Sequence, residues 1–115
     1  VGIDIELQRE KIIRIADKFA DTEFDFLNAE EKTEYIRKLT VIWGAKEAIF
    51  KIRNEKGISF RDHIKVEAFE MNDLKTKTEL HFDDFIKDFN VCFEEFESND
   101  NNGLNQNFTL VYAFE

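Results

Sequence analysis

The sequence predicts an α+β domain in which an antiparallel sheet packs against one long helix. Two patterns carry that expectation. From Asn28 to Arg53 the chain lacks proline and is rich in strong helix formers. It spaces Tyr35, Ile36, Leu39, Ile42, Trp43, Ile49 and Phe50 as a helix spaces a buried face. From Ile64 onward the period changes to two. Ile64/Val66/Ala68, Leu80/Phe82, Phe89/Val91/Phe93 and Phe108/Leu110/Tyr112/Phe114 each mark a half-buried strand.

The elements follow in order. Val1–Glu6 alternates apolar and acidic residues, so a strand there puts Asp4 and Glu6 on one face and Ile3 and Ile5 on the other. Lys11–Ala20 carries Ile12, Ile13, Ile15, Ala16 and Phe19 at helical spacing. A turn at Ala20-Asp21-Thr22 leads into a short helix ending at Leu27, with Thr22 or Asp21 as its N-cap. The long helix is expected to start near Ala29-Glu30-Glu31, where acidic residues suit the helix dipole. Gly57 closes the helical section. Turns are expected at Met71-Asn72-Asp73 and over Asp83–Asp88, and Ser98–Gly103 reads as a loop of turn formers.

Composition narrows the function classes. The chain has 115 residues, enough for one domain with a modest core, and is 43% hydrophobic and 36% charged. No apolar run approaches the roughly 20 residues of a membrane span. No basic stretch followed by an apolar one reads as a secretory leader. Cys92 has no partner cysteine and is expected to be a buried, inert thiol, in keeping with a reducing compartment. Residues 1–65 balance 13 basic against 13 acidic side chains, whereas residues 66–115 hold 3 and 12. Such a balance argues against nucleic acid and anionic membrane, which need a basic footprint. Arg9, Lys11, Arg14 and Lys18 form the best local patch for an acidic or phosphate-bearing partner, or else a solvated helix face. Thirteen phenylalanines, seven of them between Phe82 and Phe114, are expected to be core. His63 and His81 lack partners at zinc-ligand spacing; His63, after Arg61-Asp62, is left as a loop residue or a phosphate contact.

On the long helix, Thr40, Gly44, Glu47 and Lys51 step by three or four residues beside the apolar face. Taken alone, Glu47 and Lys51 are an ordinary surface pair worth about 0.2–0.5 kcal/mol. Asp4 and Glu6 change the weighing, because two carboxylates on one strand face repel unless a cation or water lies between them. Oxygen ligands with room for water suit Mg2+, and Glu47 would complete the set.

The two stretches together resemble the 4'-phosphopantetheinyl transferase superfamily. Its motifs are a Gly-x-Asp-x-Glu strand and, some forty residues on, a Trp-x-x-Lys-Glu-Ala-x-x-Lys helix. Here they stand as Gly2-Ile3-Asp4-Ile5-Glu6 and Trp43-Gly44-Ala45-Lys46-Glu47-Ala48-Ile49-Phe50-Lys51. Glu55-Lys56-Gly57-Ile58-Ser59-Phe60 resembles the turn that follows the helix, with Glu55 in place of its first glycine. The resemblance implies transfer of 4'-phosphopantetheine from coenzyme A to a serine of an acyl or peptidyl carrier protein, with Mg2+, in the cytoplasm. Asp4, Glu6 and Glu47 would hold the metal, and Glu47 and Lys51 would be catalytic. Lys51 would touch a phosphate; Lys46 would be a second phosphate contact or a solvated charge. It also implies that residues 1–115 form one half-domain of this fold. The chain opens on its metal-binding strand with Val1, so a truncated C-terminal half of the longer pseudo-dimeric type is expected, pairing with a missing half or with itself. Two other readings use the same residues: a non-catalytic metal- or carrier-binding half-domain, and an unrelated divalent-metal phosphohydrolase.

Overall fold

The computed structural model describes residues 1–99 and 102–115. Five strands form one antiparallel sheet: β1 Gly2–Leu7, β2 Ile64–Val66, β3 Lys75–Phe82, β4 Phe85–Asn99 and β5 Asn105–Phe114. Their spatial order is β1-β5-β4-β3-β2, so the first strand pairs with the last. Helix α1 covers Ile12–Ile15, the long helix α2 covers Lys32–Arg53 and α3 covers Phe60–His63. The expected α+β architecture, one long helix on an antiparallel sheet, is what the chain adopts. Among the described residues no helix is long and apolar enough to cross a membrane.

Several boundaries differ from expectation for local reasons. α2 begins at Lys32, because Asn28 forms a turn: its side chain accepts from Glu30 N and its carbonyl from Glu31 N. It ends at Asn54, which takes the left-handed conformation (φ 45°) that asparagine tolerates at a helix C-terminus. Lys11–Ala20 is not one helix. A single α-turn passes into a 3-10 turn at Ala16–Lys18, where Phe19 N and Ala20 N both donate to the Ala16 carbonyl. The short helix after Asp21 is likewise a 3-10 turn, Thr22–Phe26. The Asp83–Asp88 turn contracts to Asp83-Asp84, since Phe82 pairs with Phe85 and Asp83 supplies the positive φ (53°) of a tight hairpin. Ser98 and Asn99 belong to β4. Asp100 and Asn101, part of the expected loop, lie outside the described residues.

The core lies between α2 and the inner sheet face. Leu39, Ile42 and Ile49 of α2 and Phe89, Val91 and Phe93 of β4 are essentially fully buried. Each such side chain contributes about 1.5–3 kcal/mol. The expectation that all seven C-terminal phenylalanines are core is corrected. Phe96 and Phe114 are exposed, and Phe96 stacks on its cross-strand partner Phe108 at 5.3 Å. These positions point to the sheet face that α2 does not cover. Cys92 lies on that face too, half-buried rather than buried.

α2 approaches β1 closely enough that two glycines are required. A Cβ on Gly2 would lie 2.0 Å from the Ala48 carbonyl oxygen, and one on Gly44 would lie 2.6 Å from Val111 Cγ2. Val111 is completely buried and has nowhere to move. Gly44→Ala is therefore expected to lower stability by about 1–3 kcal/mol, the usual range for overpacking. A urea midpoint equal to that of the parent protein would show that the helix–strand contact yields more easily than its geometry suggests.

Candidate active site

The close approach of β1 to α2 creates the site. β1 turns its charged face inward: Asp4 is 8% exposed, whereas Ile3 and Ile5 on the opposite face are 55% and 58% exposed. Asp4 and Glu6 therefore look toward Trp43, Glu47 and Lys51 of α2. Lys51 Nζ lies 3.0 Å from Asp4 Oδ1 and donates to the Ile3 carbonyl, also at 3.0 Å. Trp43 Nε1 donates to Glu6 Oε1 at 2.9 Å. The indole is itself wedged between Phe19 and Phe60, with centroids 5.2 and 5.4 Å away, so its N–H is held in place by packing.

The electrostatics are those of crowded carboxylates. Glu6 is pushed up to about 7, first by burial and then by the Asp4 carboxylate, with Glu47 adding to the rise and the Trp43 hydrogen bond opposing it. Glu47 is raised by burial and by Asp4, against the pull of Lys51. Lys51 is raised chiefly by its hydrogen bond to Asp4, so it stays an ammonium at neutral pH. Asp4 Oδ2 is buried with no hydrogen-bond partner. Hard oxygen donors, with Glu6 and Glu47 both raised and one buried lone oxygen on Asp4 among them, fit a divalent cation. Among the described residues, however, no three His, Cys, Asp or Glu side chains are gathered around one point as a metal cage.

The raised Glu6 carries a pH dependence. Its folded value exceeds the ordinary 4.5, so the folded chain binds its proton more tightly than the unfolded chain. That stabilisation is complete below 4.5 and is lost as pH rises through about 7. The melting temperature of metal-free protein should fall across this window, and Glu6→Gln should flatten the fall. An equal slope in both proteins would assign the pH dependence to other groups.

Lys46 is not brought to the site. It is fully buried on the far side of α2, donating to the Phe19 carbonyl at 2.6 Å and the Phe60 carbonyl at 2.9 Å, with Glu23 Oε2 at 3.0 Å. All three ammonium donors are thus engaged inside the chain, which leaves none for a phosphate. Burial lowers its pKa while Glu23 opposes that shift. Glu23 was not singled out in the sequence. It accepts from Asp21 N and Val66 N as well as pairing with Lys46, and so ties a loop and β2 to α2. The signal was on the helix: Lys46 falls between Ile42 and Ile49 in the apolar stripe, where a charge needs a buried partner. His63, expected as a loop residue, instead ends α3, where it accepts from Ser59 N and packs edge-on against Phe82, a structural place.

Beside Glu6 opens a cleft of about 330 Å3, walled by Leu7, Ile12, Ile15 and Trp43, with Arg9 and Lys11 at its lining. Arg9, Lys11, Arg14 and Lys18 have no ion-pair partner among the described residues.

Fold and site together define an α+β protein whose carboxylate–lysine centre is held between a strand and a helix. A family model of the 4'-phosphopantetheinyl transferase superfamily matches residues 1–113. The chain belongs to that superfamily, whose members transfer phosphopantetheine. No match was found among curated proteins or among solved structures.

Proposed function

We propose that this protein transfers 4'-phosphopantetheine from coenzyme A to a serine hydroxyl of an acyl or peptidyl carrier protein in the cytoplasm. The observation that supports this most is the meeting of Asp4, Glu6, Glu47 and Lys51 between β1 and α2 in a chain of this superfamily. In the reaction the serine oxygen attacks the phosphorus bearing the pantetheine arm. The bond to the nucleotide breaks, and 3',5'-ADP leaves. Positioning and charge stabilisation dominate such chemistry.

Asp4, Glu6 and Glu47 would hold Mg2+, which when bound neutralises charge on the pyrophosphate. The remaining work belongs to the chain. Glu47, whose pKa is raised, is suited to accept the serine proton directly or through a water. Lys51, half-exposed and cationic, reaches for the phosphate oxygens and steadies the leaving group. Trp43 orients Glu6. Arg9 and Lys11, at the lining of the apolar cleft beside Glu6, face an acidic carrier.

The functional unit is proposed to contain two such half-domains, the second supplied by another segment or by a second copy. The uncovered sheet face supports this: Ile3, Ile5, Leu110, Tyr112, Phe108 and Phe96 lie on it in register across three strands. Large exposed apolar patches of this kind mark contacts. Light scattering should show self-association of the chain, and a monomer fully active in carrier loading would remove the two-half requirement.

The direct test is incubation with coenzyme A, Mg2+ and an apo-carrier. A mass gain of one phosphopantetheine on the carrier is expected. Cleavage of coenzyme A without carrier modification would instead indicate a phosphohydrolase, and metal or carrier binding without turnover a binding module.

A further inference from the structure

Asp4 is buried and, among the described residues, Lys51 is the cation bonded to it. The two residues are unequal partners. Asp4's side chain is 9% exposed and pinned on a strand, whereas Lys51's is 51% exposed on a flexible four-carbon stem. The ammonium is also steadied by the Ile3 carbonyl, so the strand itself supplies part of its seat. The other inward groups differ. Glu6 is oriented by an indole locked among aromatic rings, and Lys46 is consumed in the core. Lys51, by contrast, is half-exposed and can leave without breaking a packed contact.

Resting on the divalent-cation reading above, we propose that Lys51 is an internal counter-ion that competes with the metal for Asp4 and is released toward the substrate's phosphate when the metal takes its place. The physical reason is charge. A dication seated on Asp4 repels an ammonium 3.0 Å from the same carboxylate, and the repulsion is strong where water is scarce. Once displaced, the ammonium needs a new anion, and the donor's pyrophosphate is the anion that arrives with the metal. Lys51 thereby weakens binding of metal alone and couples metal occupancy to substrate occupancy.

Mn2+ alone is the probe, titrated into the protein and followed by the electron paramagnetic resonance signal of free ion. Lys51→Met removes the charge and keeps the length; Lys51→Arg keeps the charge. Mn2+ should bind Lys51→Met about 10- to 100-fold more tightly than the parent protein, the equivalent of removing one competing charged hydrogen bond. Lys51→Arg should stay near the parent value. Equal or weaker binding by Lys51→Met, or equal tightening in both variants, would overturn the competition while leaving the metal site standing. Absence of Mn2+ binding in the parent protein and in both variants would remove the metal site itself, and the competition with it.

Discussion

Carrier loading by Lys51→Ala is expected to fall about 10²–10³-fold, the loss typical for one preorganised charge at a developing anion. Stability should change much less. The Lys51 side chain is half-exposed and, among the described residues, pairs with Asp4, whose side chain is 9% exposed, so the loss should stay below the roughly 3–5 kcal/mol of breaking a fully buried pair. Rate and stability should therefore separate cleanly, as they would not for a structural residue. Lys51→Arg should recover part of the rate by restoring the charge. The measurement is single-turnover loading of an apo-carrier, read by mass spectrometry, alongside thermal melting. A parental rate for Lys51→Ala would return Lys51 to an ordinary surface partner of Asp4.

The opposite pattern is expected at the other lysine of the same motif. Glu23→Ala should destabilise the protein by about 3–5 kcal/mol, because it leaves the Lys46 ammonium uncompensated in the core. Both side chains are fully buried, 3.0 Å apart. The carboxylate also serves two backbone N–H groups, which lose their acceptor in the same substitution. Lys46→Met alone should cost a similar amount, since it strands the carboxylate. The double replacement Glu23→Leu with Lys46→Met should cost clearly less than the two single changes added, because it removes both charges from the interior. Urea unfolding of the three variants checks this. A loss under about 1 kcal/mol for Glu23→Ala would mean that water or the two carbonyls satisfy Lys46 unaided.

These two lysines, five residues apart, show how far the sequence could be read. Both stand in one motif and both were candidates for phosphate. Their separation follows from helical geometry: five residues advance the helix by about 500°, or roughly 140° around its axis. Position 51 consequently meets β1, while position 46 meets the loops around Phe19 and Phe60. That much could have been drawn on a helical wheel. Glu23 as the buried partner could not, because the 3-10 turn that presents it forms only against α2 and β2.

The α+β class, the long helix, the period-two strands and the two family motifs were legible because each is a local pattern: spacing of apolar residues, or residue types at fixed separations. Long-range pairing decided the rest. β1 alternates Ile with Asp and Glu, and alternation alone says that two faces differ but not which is inside. Pairing with β5 in the register Asp4 to Val111, under a helix that passes close over Gly2 and Gly44, turned the carboxylates inward and left the isoleucines in solvent. The same choice left Phe96 and Phe114 on an open sheet face, although their spacing reads as core. Local sequence sets the period of a strand or helix; only the contacts between distant segments determine which side of it meets the protein and which meets water.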